Sequence, residues 1–118
     1  ARLRTSCAEI LVSAKRYRRA LTVLQMKNPP EPRAHTRYYA LAAYARRKLG
    51  QNQRAARLYR TLADMEPDTG KWWMGLGLSL EGMERNRTAL RAYERALSAS
   101  GLNGDVRAFL RQRVERLD

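Results

Sequence analysis

Apolar residues in this chain recur at three- and four-residue intervals over most of its length, the spacing that gives a helix one buried face. The last stripe is the clearest. Val106, Phe109, Leu110, Val114 and Leu117 share one side, and Arg107, Arg111, Gln112, Arg113 and Glu115 form the polar side. A terminal helix with only solvent on its outer face has this pattern. Turn signals cut the remainder into pieces. Gly50-Gln51-Asn52 separates two periodic segments. Pro67-Asp68-Thr69 stops one helix and offers N-cap side chains to the next, and Asn103-Gly104-Asp105 does the same near the end. The pattern predicts an all-α fold of seven helices, near residues 2–14, 17–27, 34–48, 52–64, 70–82, 86–99 and 105–117.

The segments also repeat. Tyr39, Gly50, Ala55, Tyr59, Leu62 and Pro67 are followed, each at an offset of 34 residues, by Trp73, Glu84, Ala89, Tyr93, Ala96 and Gly101. A period of this length belongs to helix-turn-helix units that bury their apolar faces on one another. Small residues at Ala43 and Gly77, and at Ala55 and Ala89, stand where paired helices must approach closely. Tyr59 and Tyr93 are expected to fill the gaps between units.

These residues resemble the tetratricopeptide repeat family. The unit starting at Gly70 supplies Trp73, Leu76, Gly77, Ala89, Tyr93 and Ala96, and departs from the family pattern at Leu80 and Gly101. The unit starting at Thr36 supplies Tyr39, Ala42, Ala43, Ala55, Tyr59 and Pro67, and departs at Arg46 and Leu62. A degenerate first unit matches at Ala8, Tyr17, Ala20 and Leu24, and the loop Asn28-Pro29-Pro30-Glu31-Pro32 lengthens it by one residue. The resemblance implies a right-handed α-solenoid: a degenerate repeat over 1–35, repeats over 36–69 and 70–103, and a capping helix over 104–118. A narrower likeness covers about one repeat and the cap. Gly70-Lys71-Trp72-Trp73-Met74-Gly75-Leu76-Gly77-Leu78-Ser79-Leu80-Glu81, with Ala89 to Leu97, resembles the repeat region of bacterial type IV pilus-biogenesis accessory proteins, the mannose-sensitive haemagglutinin (MSHA) protein N family among them. That likeness implies a periplasmic domain on an inner-membrane-anchored chain. The first residue is Ala1, not an initiator methionine, and the first segment already reads as helical, so a piece of a longer chain is expected.

Charge alters the picture of partners. The chain of 118 residues carries a formal net charge of +13, nearly all of it arginine, since only Lys15, Lys27, Lys48 and Lys71 are lysines. A surface this basic favours acidic partners: nucleic acid, an anionic membrane face or an acidic peptide. For nucleic acid, aromatics must be free to stack on bases. Tyr39, Tyr59, Trp73 and Tyr93 fall on core positions, which leaves Tyr44, Tyr38 and Trp72. No apolar run reaches the length of a membrane span, so a membrane connection is expected only through the parent chain. Self-association stays open.

Candidate catalytic chemistry is sparse. Cys7 is the only cysteine, which excludes an internal disulfide or a multi-cysteine metal site, and it is expected to be a small buried residue. His35, the only histidine, opens a helix and reads as a surface or capping residue. Asp64, Glu66 and Asp68 cluster at a helix end as a solvated turn does, Ser79 has no base beside it, and Gly75 and Gly77 lie inside a helix with no preceding strand, unlike a phosphate loop. No enzyme activity, metal or cofactor is expected.

The resemblance places a ligand groove on the first helix of each repeat. It draws on Arg2, Thr5, Glu9, Val12 and Ser13; then Arg37, Ala40, Tyr44, Arg47 and Lys48; then Lys71, Met74, Leu78, Glu81 and Gly82; with Gln112 and Arg116 from the cap. The partner-binding residues expected from this set are Arg37, Tyr44, Arg47, Lys48, Lys71, Met74 and Leu78. Tyr44 and Met74 suit an apolar anchor and the cations a carboxylate, with Arg47 and Lys48 expected in solvent. The family's carboxylate clamp for chaperone C-termini needs Lys and Asn where Thr5 and Glu9, or Ala40 and Tyr44, stand, so that ligand is not expected.

Overall fold

Three turns share one backbone geometry and set the order of the helices. Lys15, Gly50 and Glu84 have φ of +60°, +79° and +61°. At each, the next residue's N–H donates five residues back, from Arg16 to Leu11, Gln51 to Arg46 and Arg85 to Leu80, at 2.8, 2.8 and 3.0 Å. The turn residues themselves donate to Val12, Arg47 and Glu81. This pair of bonds satisfies carbonyls that a helix end would otherwise leave open. Glycine takes a positive φ without the Cβ clash that lysine and glutamate meet there. Glu84→Gly is therefore expected to stabilise the fold by about 1 kcal/mol, read as a melting temperature about 4 °C higher.

In the computed structural model, residues 2–25 and 35–118 are described, without the side chains of Arg2 and Leu3. They form α1 (Arg2–Ser13), α2 (Tyr17–Leu24), α3 (Thr36–Lys48), α4 (Asn52–Met65), α5 (Gly70–Gly82), α6 (Asn86–Ser98) and α7 (Gly104–Leu117). The fold is all-helical over these residues, and α5 spans the expected 70–82. The second helix is shorter than expected, because Gln25 is already extended. The third runs from Thr36, with His35 at its N-cap, and the expected start at 34 lies outside the described residues. The Pro-rich loop lies outside the described residues.

Helices pack chiefly on their chain neighbours, with α1 also against α3 and α3 against α5. The molecule measures 41 × 25 × 23 Å. One apolar cluster runs through α3–α7 around Ala43, Ala55, Tyr59, Leu62, Trp73, Ala89, Tyr93 and Leu110. A second joins α1–α3 through Ala8, Ala20, Leu24 and Ala42, with Tyr39 and Leu58 bordering both.

Two glycines hold the α5 contacts close. A Cβ on Gly75 would sit 2.3 Å from the Tyr59 ring of α4, and one on Gly77 would sit 2.5 Å from the Tyr93 ring of α6. Tyr59 thus spans α4 and α5. Tyr93 packs inside the α5–α6 pair and donates its hydroxyl to Glu81 at 2.7 Å. Arg113 of α7 meets the same carboxylate at 3.1 Å. Burial first, and the bond to Glu81 next, raise the Tyr93 hydroxyl well above the usual tyrosine pKa.

Several residues stand differently from their sequence assignment. Arg113 and Arg107, placed on the polar side of α7, both turn inward, Arg107 donating to the Leu97 carbonyl at 2.8 Å. Phe109 is 40% exposed, under the Arg113 guanidinium. The inward face is centred on Leu110, because α7 lies across α6 with that residue in the contact. Cys7 is exposed, since the buried residue of that α1 turn is Ala8. Thr69 occupies the N-cap position of α5 without a side-chain bond. The Gly70 N–H donates instead to the Ser100 carbonyl at 2.9 Å, and Ser100 bonds back to Asp68 through both its N–H and its hydroxyl. Asn103 does cap α7, accepting from the Val106 N–H.

Candidate peptide-binding cleft

Where α3 lies against α5, a cleft of about 280 Å³ opens. Arg37, Tyr44 and Arg47 come from α3, and Lys71, Met74 and Leu78 from α5, so six of the seven expected partner-binding residues line one space. The helical register explains this. Arg37, Ala40, Tyr44 and Arg47 are spaced by three or four, as are Lys71, Met74 and Leu78. Lys48 is exposed beside the cleft and outside its wall, with Nζ 5.6 Å from the centre of the Tyr44 ring.

Four wall residues escaped the sequence-based groove, the half-buried Leu41 of α3 among them. Tyr59 reaches the cleft from α4 because Gly75 leaves room for its ring, and Gly75 itself lines the floor. The signal was present in the sequence, as a mid-helix glycine and a tyrosine expected between units, but their meeting depends on how α4 packs on α5. Trp72, expected to be available for stacking, is half-buried at the wall and donates its indole N–H to Glu66 at 2.8 Å. Tyr38, expected to be free as well, is buried and donates its hydroxyl to the Leu24 carbonyl.

No acidic residue lines the cleft. Arg37 reaches Glu9 of α1 in an ion pair, the side chains being 70% and 34% exposed. Arg47, expected in solvent, is partly buried, its guanidinium carbon 5.3 Å from the centre of the Tyr44 ring. Its Nε is buried with no hydrogen-bond partner. Burial raises the Tyr59 hydroxyl pKa, and neighbouring Arg47 opposes that rise. Tyr17 meets the Tyr44 ring edge to face, with centroids 6.0 Å apart.

The remaining groove positions divide. Ala40 lines the cleft, and Val12 packs on the α1–α3 cluster. Thr5 is half-buried and Ser13 exposed on α1, and the Arg2 side chain lies outside the described residues. Glu81 is drawn away into the Tyr93–Arg113 network. Gly82 abuts Asn52, where a Cβ would meet the amide at 2.6 Å. Gln112 and Arg116 are exposed on α7.

A smaller cleft of about 190 Å³ has Arg60, Thr88, Arg91 and Arg95 around an apolar floor that includes Trp73. The Arg95 guanidinium stacks 4.5 Å from the Trp73 ring centre, and the Trp73 indole donates to the Pro67 carbonyl. Two larger hollows are open surface at turns, one at Gly50–Arg54 and one at Pro67 and Asp68. His35 is exposed at the N-cap of α3 with no side-chain capping bond, and Ser79 is buried, donating to the Gly75 carbonyl. Among the described residues no group of three or more His, Cys, Asp or Glu is placed to hold a metal, and no helix is long and apolar enough to cross a membrane. Comparison with protein-family models and with curated proteins gives no match to this chain.

Proposed function

We propose that this chain is a right-handed α-solenoid of three tetratricopeptide-type repeats with a capping helix, and that it is a non-catalytic scaffold holding an acidic partner segment between α3 and α5. The repeat reading is supported by one turn geometry recurring at Lys15, Gly50 and Glu84, and by the contacts of α1 with α3 and of α3 with α5. The functional reading is carried by one observation: an apolar-floored cleft with Arg37, Arg47 and Lys71 on its walls and no acidic residue among them. Arginine and lysine hold carboxylates, while Tyr44 and Met74 offer a rigid and an adaptable apolar surface. The likeness of the α5–α6 stretch to pilus accessory proteins makes a bacterial type IV pilus or secretion assembly the setting we favour. Titrating labelled acidic and neutral peptides against the wild-type chain and a cleft variant tests the reading; equal binding of both peptides by both proteins would refute it.

A second reading rests on the arginine-rich exposed faces of α4 and α6. Arg54, Arg57, Arg60, Arg87, Arg91 and Arg95 are all exposed there, against Asp64 and Glu94 as the only acids of those helices. Such a face binds phosphate backbones without reading bases. Any binding to labelled oligonucleotides is expected to be weak, indifferent to sequence and steeply lost with salt, measured by anisotropy at two ionic strengths. Tight, sequence-selective binding that survives raised salt would put nucleic acid first.

A further inference from the structure

The smaller cleft lies on the far side of α5. Trp73, Leu76 and Leu80 line it from the side of that helix opposite Lys71, Met74 and Leu78, with Arg60 of α4 and Arg91 and Arg95 of α6 exposed around them. A ligand here therefore leaves the α3–α5 cleft open. Among the described residues no acidic side chain lines this space, and neither Arg91 nor Arg95 forms an ion pair. Arg60 pairs with Asp64, but both side chains are exposed, and a bridge of that kind yields readily to a phosphate. The basic residues of α4 and α6 are all arginine, the cation whose planar fork holds phosphate at two points.

The floor asks for more than charge. Leu76, Leu80 and Ala92 are apolar, and the Arg95 guanidinium lies over the Trp73 ring at 4.5 Å. Arg95 is exposed, so its guanidinium stays open to a second flat group from the solvent side. A planar aromatic group with a phosphate on either side satisfies floor and rim together, and every unit of a nucleotide strand has that composition. An acidic peptide supplies the plane only where an aromatic residue stands between its carboxylates. At about 190 Å³ the space has room for one base and not for a base pair. A base inside a duplex is stacked and paired, and reaches such a seat only when flipped out. Resting on the nucleic-acid reading of the α4–α6 face above, we propose that this cleft binds single-stranded nucleic acid, with one base seated against Arg95 and Leu80 and the flanking phosphates on Arg60 and Arg91. Stacking and apolar contact do not read base edges, so binding stays indifferent to sequence.

The test is anisotropy titration of the intact chain at one low salt concentration with four fluorescein-labelled probes. They are a short oligothymidine strand, an abasic strand of the same length, the duplex of the first strand with its complement, and a Glu-Tyr peptide of the same charge as the single strand. Oligothymidine is expected to bind at least about tenfold more tightly than the abasic strand. It should also bind more tightly than the duplex, although the duplex carries the denser charge and attracts cations more strongly. Arg95→Lys keeps the charge and gives up the planar stack, so it should lower oligothymidine affinity by about fivefold or more and leave the abasic strand unchanged. Equal or tighter binding of the abasic strand or the duplex overturns the base seat and leaves the phosphate-backbone reading standing. A fall of both strands together in Arg95→Lys, or of neither, also overturns the seat. Equal capture of the Glu-Tyr peptide, or no measurable binding of any oligonucleotide, overturns both.

Discussion

Gly77→Leu is expected to lower the stability of this fold by about 3 kcal/mol, the upper end of what overpacking a core contact costs. Even a methyl group at this position would stand 2.5 Å from Cε1 of Tyr93. That ring cannot step aside easily. Tyr93 is fully buried, and its hydroxyl is fixed on Glu81, which also pairs with Arg113. The conflict should therefore spread from α5 into α6 and the terminal helix. Gly77→Ala is expected to destabilise as well, although alanine favours a helix over glycine by about 1 kcal/mol. Gly104 makes the comparison, because a Cβ there meets nothing within 4 Å. Gly104→Ala should leave the melting temperature unchanged or slightly raised, while Gly77→Leu should lower it by about 10 °C in circular-dichroism melts. A Gly77→Leu protein that melts with the wild type would mean that α5 and α6 do not pack as described. Trimming the ring in Gly77→Ala, Tyr93→Leu should recover part of the alanine variant's loss, since the clash is with the aromatic edge.

Arg37→Gln combined with Lys71→Glu is expected to weaken capture of an acidic peptide by about tenfold or more, through lost charge complementarity at the cleft. Both residues are exposed, so the fold should survive. Arg47 is left intact because it is partly buried, and a carboxylate in its place would confuse lost binding with lost stability. Glutamine is chosen at position 37 because glutamate there would face Glu9. The control is Arg57→Gln with Arg91→Glu, two exposed positions on α4 and α6. Both pairs remove the same net charge, so long-range attraction falls equally and only a local contact separates them. Anisotropy should show near wild-type affinity for the control. A loss confined to the control pair would move the binding face to α4 and α6 and sink the cleft.

Much of this molecule follows from local pattern. The helical spacing of apolar residues and the turn signals at Gly50 and Asn103 need only short-range physics: a face to bury, a carbonyl to satisfy, an N–H to cap. The register that aligns Arg37, Tyr44 and Arg47 on one helix, and Lys71, Met74 and Leu78 on another, is local too, because a helix determines which of its own residues share a side. What no local pattern determines is which partly apolar side meets a neighbour. Phe109 and Leu110 are both on the apolar stripe of α7, yet only Leu110 is buried. Arg113 looks like a solvent residue until α5 presents Glu81 beside it. Tyr38 reads as a free ring until α2 offers the Leu24 carbonyl. The α5 N-terminus finds its acceptor at Ser100, thirty residues further along the chain, in place of the threonine before it. The cleft has the same divided origin. Its cations and anchors were readable along two helices, but its floor of Tyr59 against Gly75, and the burial that sets Arg47 apart from Arg37, arise only when α3, α4 and α5 pack together. Burial is a property of pairs of surfaces, and the order of residues along one helix describes only half of each pair.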